Sequence, residues 1–358
     1  MDNKVIFANN LRGIAALLVV ASHFWGVFYS SHESVHFLLQ INSVDIHNEL
    51  KIYETTNNLR YLNLGCLGVS LFFLISGFVI PFSLDKYPPV KFLINRFFRI
   101  YPTYWVGLGI GIVCLYVNSL LYISNFNFDL THLIKQAFLV RDLFWIPSID
   151  GVSWTLEIEL KFYLIMLITY KMFKCTHYSI LFSVLLLGFS VLCMQFLNID
   201  NILKNLICLD APFLIFMFIG SVFNLIHIQK IDIKIAIINV ILYFCCFVYL
   251  LSYALDKNLW FIHTINYSFS LFVFTICLVF SRNIKNNKIF NFFANISFPL
   301  YAIHALLGYS LLEYLIFILK INVYMSSILV LAIVIFIAFL IHILVELPMI
   351  KFAKNIKN

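Results

Sequence analysis

The stretch Asn9–Phe24, NNLRGIAALLVVASHF, opens an apolar run long enough to begin a membrane-crossing helix, yet it carries Arg12 near its start and His23 deep inside. At 100° per residue, eleven residues return to within ~20° of the starting face, so a helix sets both side chains on one stripe, roughly 16 Å apart along the axis. Ionisable groups are expensive inside a bilayer, and an aligned pair is a functional hypothesis by default. The competing structural reading is an arginine snorkelling to the interface and a histidine hydrogen-bonded to a neighbouring helix.

Working outward, the chain has 358 residues, of which 62% are hydrophobic and 11% charged, with mean hydropathy +0.95. That composition excludes an ordinary soluble domain and predicts an all-α, polytopic membrane protein. The longest polar region, Ser30–Arg60, reads as a loop. The net charge of +7 is scattered over short loops, so it reports topology rather than nucleic-acid binding. Eight cysteines lie mostly in apolar runs without CxxC spacing, which indicates neither a disulfide framework nor a zinc site.

A hydrocarbon core of roughly 30 Å needs ~20 apolar residues per helix. That ruler predicts ten spans, near 9–30, 62–83, 99–122, 154–173, 178–197, 206–226, 233–254, 260–281, 297–319 and 326–347. The stretch 90–100 reads as interfacial, and 134–148 as a segment that dips partway in. With the N-terminus in the cytoplasm, fifteen Lys and Arg residues fall in inside loops and seven in outside loops, which supports cytoplasmic termini at both ends. Gly107, Gly109 and Gly111 sit inside an apolar run, where close helix packing is expected rather than nucleotide binding.

Four further constellations carry candidate chemistry. Ser76 and Gly77 interrupt the second span with small residues that let a backbone or an elongated ligand approach, although a membrane serine usually bonds its own helix. Arg96 and Arg99, at i and i+3 before Pro102, point one way at the membrane boundary, and their forked guanidinium groups suit phosphate anions. Pro102 is expected to break or kink the chain before the third span. In SWTLEIELKFYL (153–164), Lys161 is placed to neutralise Glu157 at i and i+4, which leaves Glu159 without a local partner and with Tyr163 one turn along its own side. Glu159 is therefore the functional candidate and Glu157 a structural one. Late in the chain, Tyr301 and His304 are i and i+3, while His342 and Glu346 lie in the last span.

In this order the pieces resemble the membrane-bound acyltransferase family 3, the bacterial sugar O-acyltransferases. The resemblance rests on Arg12 and His23, on the FFxxSGF stretch Phe72–Phe78, and on Arg96 and Arg99 before Pro102. It continues through Trp154, Thr155, Leu156, Glu159 and Phe162 and ends with Tyr301 and His304. Thr155 stands where the family commonly has serine, and the Tyr-Ala-Ile-His segment departs from the family pattern. Some members add a periplasmic SGNH domain; this chain ends ten residues after Pro348, so a single transmembrane domain over 1–358 is expected. Such a chain would act alone or hand over to a separate periplasmic transfer protein.

The resemblance implies O-acetyl transfer from acetyl-coenzyme A to a sugar hydroxyl of O-antigen, capsule or exopolysaccharide, at the bacterial inner membrane. It implies no metal or prosthetic group. Arg12, Arg96 and Arg99 would then bind the donor's phosphates, with the thioester reaching toward His23 as general base or as nucleophile. Glu159 would orient a histidine or the acceptor, and Ser76, Trp154, Tyr301 and His304 would line or support the site. The expected partners are membrane lipid and a polymeric or lipid-linked glycan, not nucleic acid. The alternative reading is a transporter, flippase or polymerase of lipid-linked glycans, whose signature would be an inverted repeat or paired broken helices.

Overall fold

The computed structural model describes residues 5–41, 61–124, 126, 129–173, 176–196 and 202–356. Apolar runs of this length leave the backbone one economical solution in a bilayer, the helix, which satisfies its own hydrogen bonds. The described residues are accordingly helical, with no strand among them. In chain order the helices are α1 (Ile6–Ser30), α2 (His32–Leu39), α3 (Leu64–Lys86) and α4 (Pro89–Leu121). There follow α5 (Leu130–Ala137), α6 (Trp154–Phe173), α7 (His177–Phe196) and α8 (Ile202–His227). The last four are α9 (Ile233–Leu251), α10 (Lys257–Val279), α11 (Lys288–Ile318) and α12 (Val323–Asn355).

Among the described residues nine helices are long and apolar enough to cross a membrane, so this is a multi-pass membrane protein. The expected span 154–173 is present as the 20-residue helix α6, but it carries Glu157, Glu159, Lys161 and Lys171 and is not one of the nine. It still runs beside α3 in the same direction, from Trp154 against Phe73 to a 2.6 Å hydrogen bond that Tyr170 donates to Asp85. Protein packing on α3 and α8, rather than lipid, is what tolerates those charges.

Small residues set the bundle centre. A Cβ on Gly77 would sit 1.9 Å from the Met217 carbonyl oxygen, and one on Gly220 2.3 Å from that of Leu74, so α3 and α8 meet backbone to backbone. Ser221 and Asn224 then donate to the carbonyls of Gly77 and Phe78, at 3.1 and 2.8 Å. α1 lies antiparallel on α3, with Phe7 against Phe78 and Ser22 beside Gly65. It lies parallel to α11, where a Cβ on Gly13 would meet the Phe290 carbonyl oxygen at 2.3 Å. Gly107 and Gly111 of α4 pack on Ala302 and Leu306 of α11, the close helix contact expected of them.

Four expectations are corrected. Ser30–Arg60 is not simply a loop: His32–Leu39 is helical, while 42–60 lie outside the described residues. α3 is continuous through Ser76 and Gly77. Pro102 does not break the chain either, because α4 runs unbroken for 33 residues from Pro89. A membrane helix packed on both α11 and the end of α12 can carry an internal proline. The stretch 90–100 is thus the first part of a span. α5 and the turn after it do reach inward, since Trp105 and Tyr101, midway along α4, donate to the carbonyls of Ala137 and Phe138 at 2.9 and 3.1 Å.

Candidate active site

The continuity of α4 places Arg96 and Arg99 about 10 and 15 Å along the helix from Pro89, inside the bundle instead of at its boundary. There they line one cavity with Arg12 of α1, Ser76 of α3, Glu159 and Tyr163 of α6, and Ser297 and Tyr301 of α11. Five helices therefore contribute to the site, and six of the residues singled out from the sequence, Arg12, Ser76, Arg96, Arg99, Glu159 and Tyr301, converge on it. Three guanidinium groups against the one carboxylate leave the cavity wall with a formal charge of +2.

Glu159 organises that wall. Its Oε1 accepts from Ser76 Oγ at 2.6 Å and from Tyr163 Oη at 2.5 Å. Ser76 thus bonds across to α6 rather than to its own helix. Arg96 donates to Ser83 Oγ at 2.6 Å and lies over the rings of Phe92 and Tyr163. Both Arg12 and Arg96 are within electrostatic range of Glu159 and of Arg99. These hydrogen bonds of Glu159 go to a serine and a tyrosine, not to a histidine.

The start of α6 is held by a buried polar network. Asp150 Oδ1 accepts from the backbone N–H groups of Val152 and Ser153 at 3.0 and 2.9 Å, while its Oδ2 accepts from Tyr104 at 2.9 Å. Gly151 provides the positive φ of 70° that this turn needs. Tyr301 donates to the Val152 carbonyl and lies 2.5 Å from Thr155 Oγ1, which ties α11 to the cavity edge. Threonine in place of serine keeps the hydroxyl that this contact uses. Trp154 is outside the cavity wall, packed on Phe73 and Phe213 where it supports α3 and α8.

Tyr301 also leads to His23. His304 is fully buried one turn on, its ring 5.7 Å from that of Tyr301 and 4.6 Å, edge to face, from that of His23. Its Nδ1 is 2.8 Å from the Tyr301 carbonyl oxygen, and its Nε2 has no hydrogen-bond partner among the described residues. His23 opens a π turn, His23–Val27, and its Nδ1 lies 2.5 Å from Tyr309 Oη. π turns inside α-helices are frequent at functional sites because they redirect side chains without ending the helix. His23 is not part of the cavity wall; it stands behind Tyr301 and His304.

Lys161 does not neutralise Glu157. It pairs with Asp142 and Asp210, while Glu157 is 2.9 Å from Arg141. Arg141 and Asp142 belong to the turn that packs inward, so carboxylates and cations exchange partners between elements. Glu157 is buried, with Arg141 rather than Lys161 as its partner. His342 Nδ1 and Glu346 Oε2, 2.6 Å apart in a π turn of α12, satisfy each other. Tyr309 was not singled out from the sequence; the signal available was a Gly-Tyr pair, Gly308 and Tyr309, one turn after a membrane histidine.

No solved structure matches the chain. It is 30% identical over 112 residues to the exopolysaccharide production protein ExoZ of Rhizobium meliloti (strain 1021), a match covering 29% of this chain and 34% of that protein. Residues 5–347 match the acyltransferase domain of acyltransferase family 3, a range that takes in the cavity, His304 and the His23–Tyr309 pair. By that match the chain belongs to acyltransferase family 3.

Proposed function

We propose that this acyltransferase moves an acetyl group from acetyl-coenzyme A to a sugar hydroxyl of a cell-surface polysaccharide, in the bacterial cytoplasmic membrane. The observation that carries the donor is the cavity wall itself. Three guanidinium groups gathered from two helices, with one carboxylate between them, ask for a multiply anionic ligand, and forked donors bind phosphate oxygens bidentately. The name of the rhizobial relative supports an exopolysaccharide as the acceptor class.

In this reading Arg12, Arg96 and Arg99 hold the donor's phosphates, and the pantetheine arm runs past Tyr301 toward His23. His23 Nε2 takes the proton from the acceptor hydroxyl as that oxygen attacks the thioester carbonyl. The C–S bond then breaks and the imidazolium returns the proton to the leaving sulfur. For Nε2 to accept a proton, Nδ1 must carry its own, and in this reading it donates that proton to Tyr309 Oη, 2.5 Å away. Ser76 and Tyr163 hold Glu159 where its charge keeps the arginine cluster together.

The test is expression of the wild type and His23→Ala at equal levels in a glycan-producing host lacking the gene. Surface polysaccharide is compared by mass spectrometry before and after mild alkali. The expected result is an alkali-labile acetyl increment with the wild type and none with His23→Ala. Unchanged esters together with altered glycan length or export would sink the enzyme reading for that glycan in favour of a transport role.

A further inference from the structure

On the far side of Tyr309 from His23, a second polar cluster is buried that the transfer chemistry does not use. His32 and His36 are one turn apart on α2, and Glu313 reaches them from α11, directly before the π turn Tyr314–Ile318. His36 Nε2 is 2.9 Å from Glu313 Oε1, and His32 Nε2 is 3.6 Å from Oε2. Glu313 is 1% exposed and His36 2%. Sequence reading passed over both histidines because they fall in a stretch that looks like a polar loop.

Two details separate this cluster from an ordinary histidine–carboxylate contact. His32 Nδ1 lies 3.0 Å from the Phe28 carbonyl oxygen, and only an N–H there makes a hydrogen bond, which leaves Nε2 as a lone pair in the neutral ring. That lone pair faces Glu313 Oε2, and neither atom has a hydrogen-bond partner among the described residues. Two buried acceptors facing each other repel unless something positive lies between them. Their separations also bracket the ~3.3 Å expected between ligand atoms each 2.0–2.1 Å from a tetrahedral zinc ion.

We propose that His32, His36 and Glu313 form a binding site for a divalent transition-metal ion of the zinc class. Imidazole nitrogen with carboxylate oxygen is a ligand set for that class, and the three ligand atoms lie within 4.8 Å of one another. The ion clips α2 to α11. Phe28, whose carbonyl orients His32, stacks on Tyr309 at 5.9 Å, so the clip also braces the end of α1 that carries His23.

The experiment uses the full chain in detergent, with any affinity tag removed, stripped by chelator and then given Zn2+ or Co2+ alone. The wild type is expected to keep one Zn2+ per chain through gel filtration, to give the visible absorption of tetrahedral Co2+, and to gain thermal stability on loading. Glu313→Gln keeps an oxygen toward His36 but loses the charge. It and His32→Gln are expected to bind Zn2+ at least ~10-fold more weakly, the loss that disturbing even an outer partner of a ligand produces. A wild type that holds no Zn2+, or variants that hold as much as it does, overturns the proposal and leaves a protonated histidine as the bridging charge. If the variants do not fold, the wild-type metal content and Co2+ spectrum decide it.

Discussion

His23 has two polar neighbours, and they set different properties. His304 meets it edge to face, while Tyr309 holds its Nδ1. On the proposed mechanism Tyr309 is a positioning residue, and Tyr309→Phe removes one oxygen while leaving the ring stacked on Phe28. We expect kcat to fall by about 10- to 100-fold, within the share that a general base contributes, with KM for the donor unchanged and a displaced kcat–pH profile. Arg99→Gln is expected to do the reverse, raising donor KM more than it lowers kcat, because it removes binding rather than proton transfer. Steady-state kinetics of the two variants separates these roles; equal losses in both parameters for Tyr309→Phe would make it merely structural. Arg12, Arg96, Arg99 and Glu159 could be read from the sequence because charge in an apolar run has few explanations. Tyr309 could not, being one of 19 tyrosines in the chain. The partner of Lys161 was misread for a related reason, since a neighbour at i−4 is visible in sequence whereas Asp142 and Asp210 arrive from other elements.

At the scale of the helix, the cavity exists because α3, α4 and α6 keep fixed rotations about their axes. α4 carries Arg96 and Arg99 inward only because it continues through Pro102, and the local rule that proline ends a helix missed this because tertiary packing overrides it. α3 carries Ser76 to Glu159 only because Gly77 beside it lies on the backbone of α8. Gly77→Ala would put a methyl group 1.9 Å from the Met217 carbonyl oxygen, which backbone cannot yield cheaply. The expected loss is about 1–3 kcal/mol or more, the range for overpacked cores, together with loss of transfer activity as Ser76 leaves Glu159. Gly109→Ala is the control: nothing lies within 4 Å of its added carbon, so alanine should be neutral or up to ~1 kcal/mol stabilising through helix propensity. Thermal unfolding in detergent measures both, and a Gly77→Ala protein as stable as the control would contradict the backbone contact. That small residues mark packing was legible in the sequence; which helix they face was not.

For the whole molecule, the decisive element is α6, the expected span whose charges keep it out of the nine helices apolar enough to cross a membrane. Nine crossings would put the two ends of the chain on opposite sides of a membrane, and ten would reunite them. The packing favours reunion: α6 and α8 both run parallel to α3, and Lys91 at the start of α4 donates to the Ala353 carbonyl near the end of α12 at 2.8 Å. α1, α4 and α11 begin at that same end, where Asn10 donates to the Lys285 carbonyl at 3.1 Å. The charge asymmetry points the same way even after correction, because taking Arg96 and Arg99 out of the loops still leaves thirteen cations against seven. We therefore expect both termini to be cytoplasmic and the turn between α9 and α10, at 252–256, to face the other side. Reporter insertions that fluoresce only in the cytoplasm or hydrolyse phosphate only in the periplasm test this at the two ends and at 254. Fluorescence at both ends with phosphatase activity at 254 is the predicted pattern. Ends on opposite sides would mean that α6 does not complete a crossing. An N-terminus on the outer side would instead open the arginine wall away from the cytoplasmic donor, and the donor assignment would fall with it.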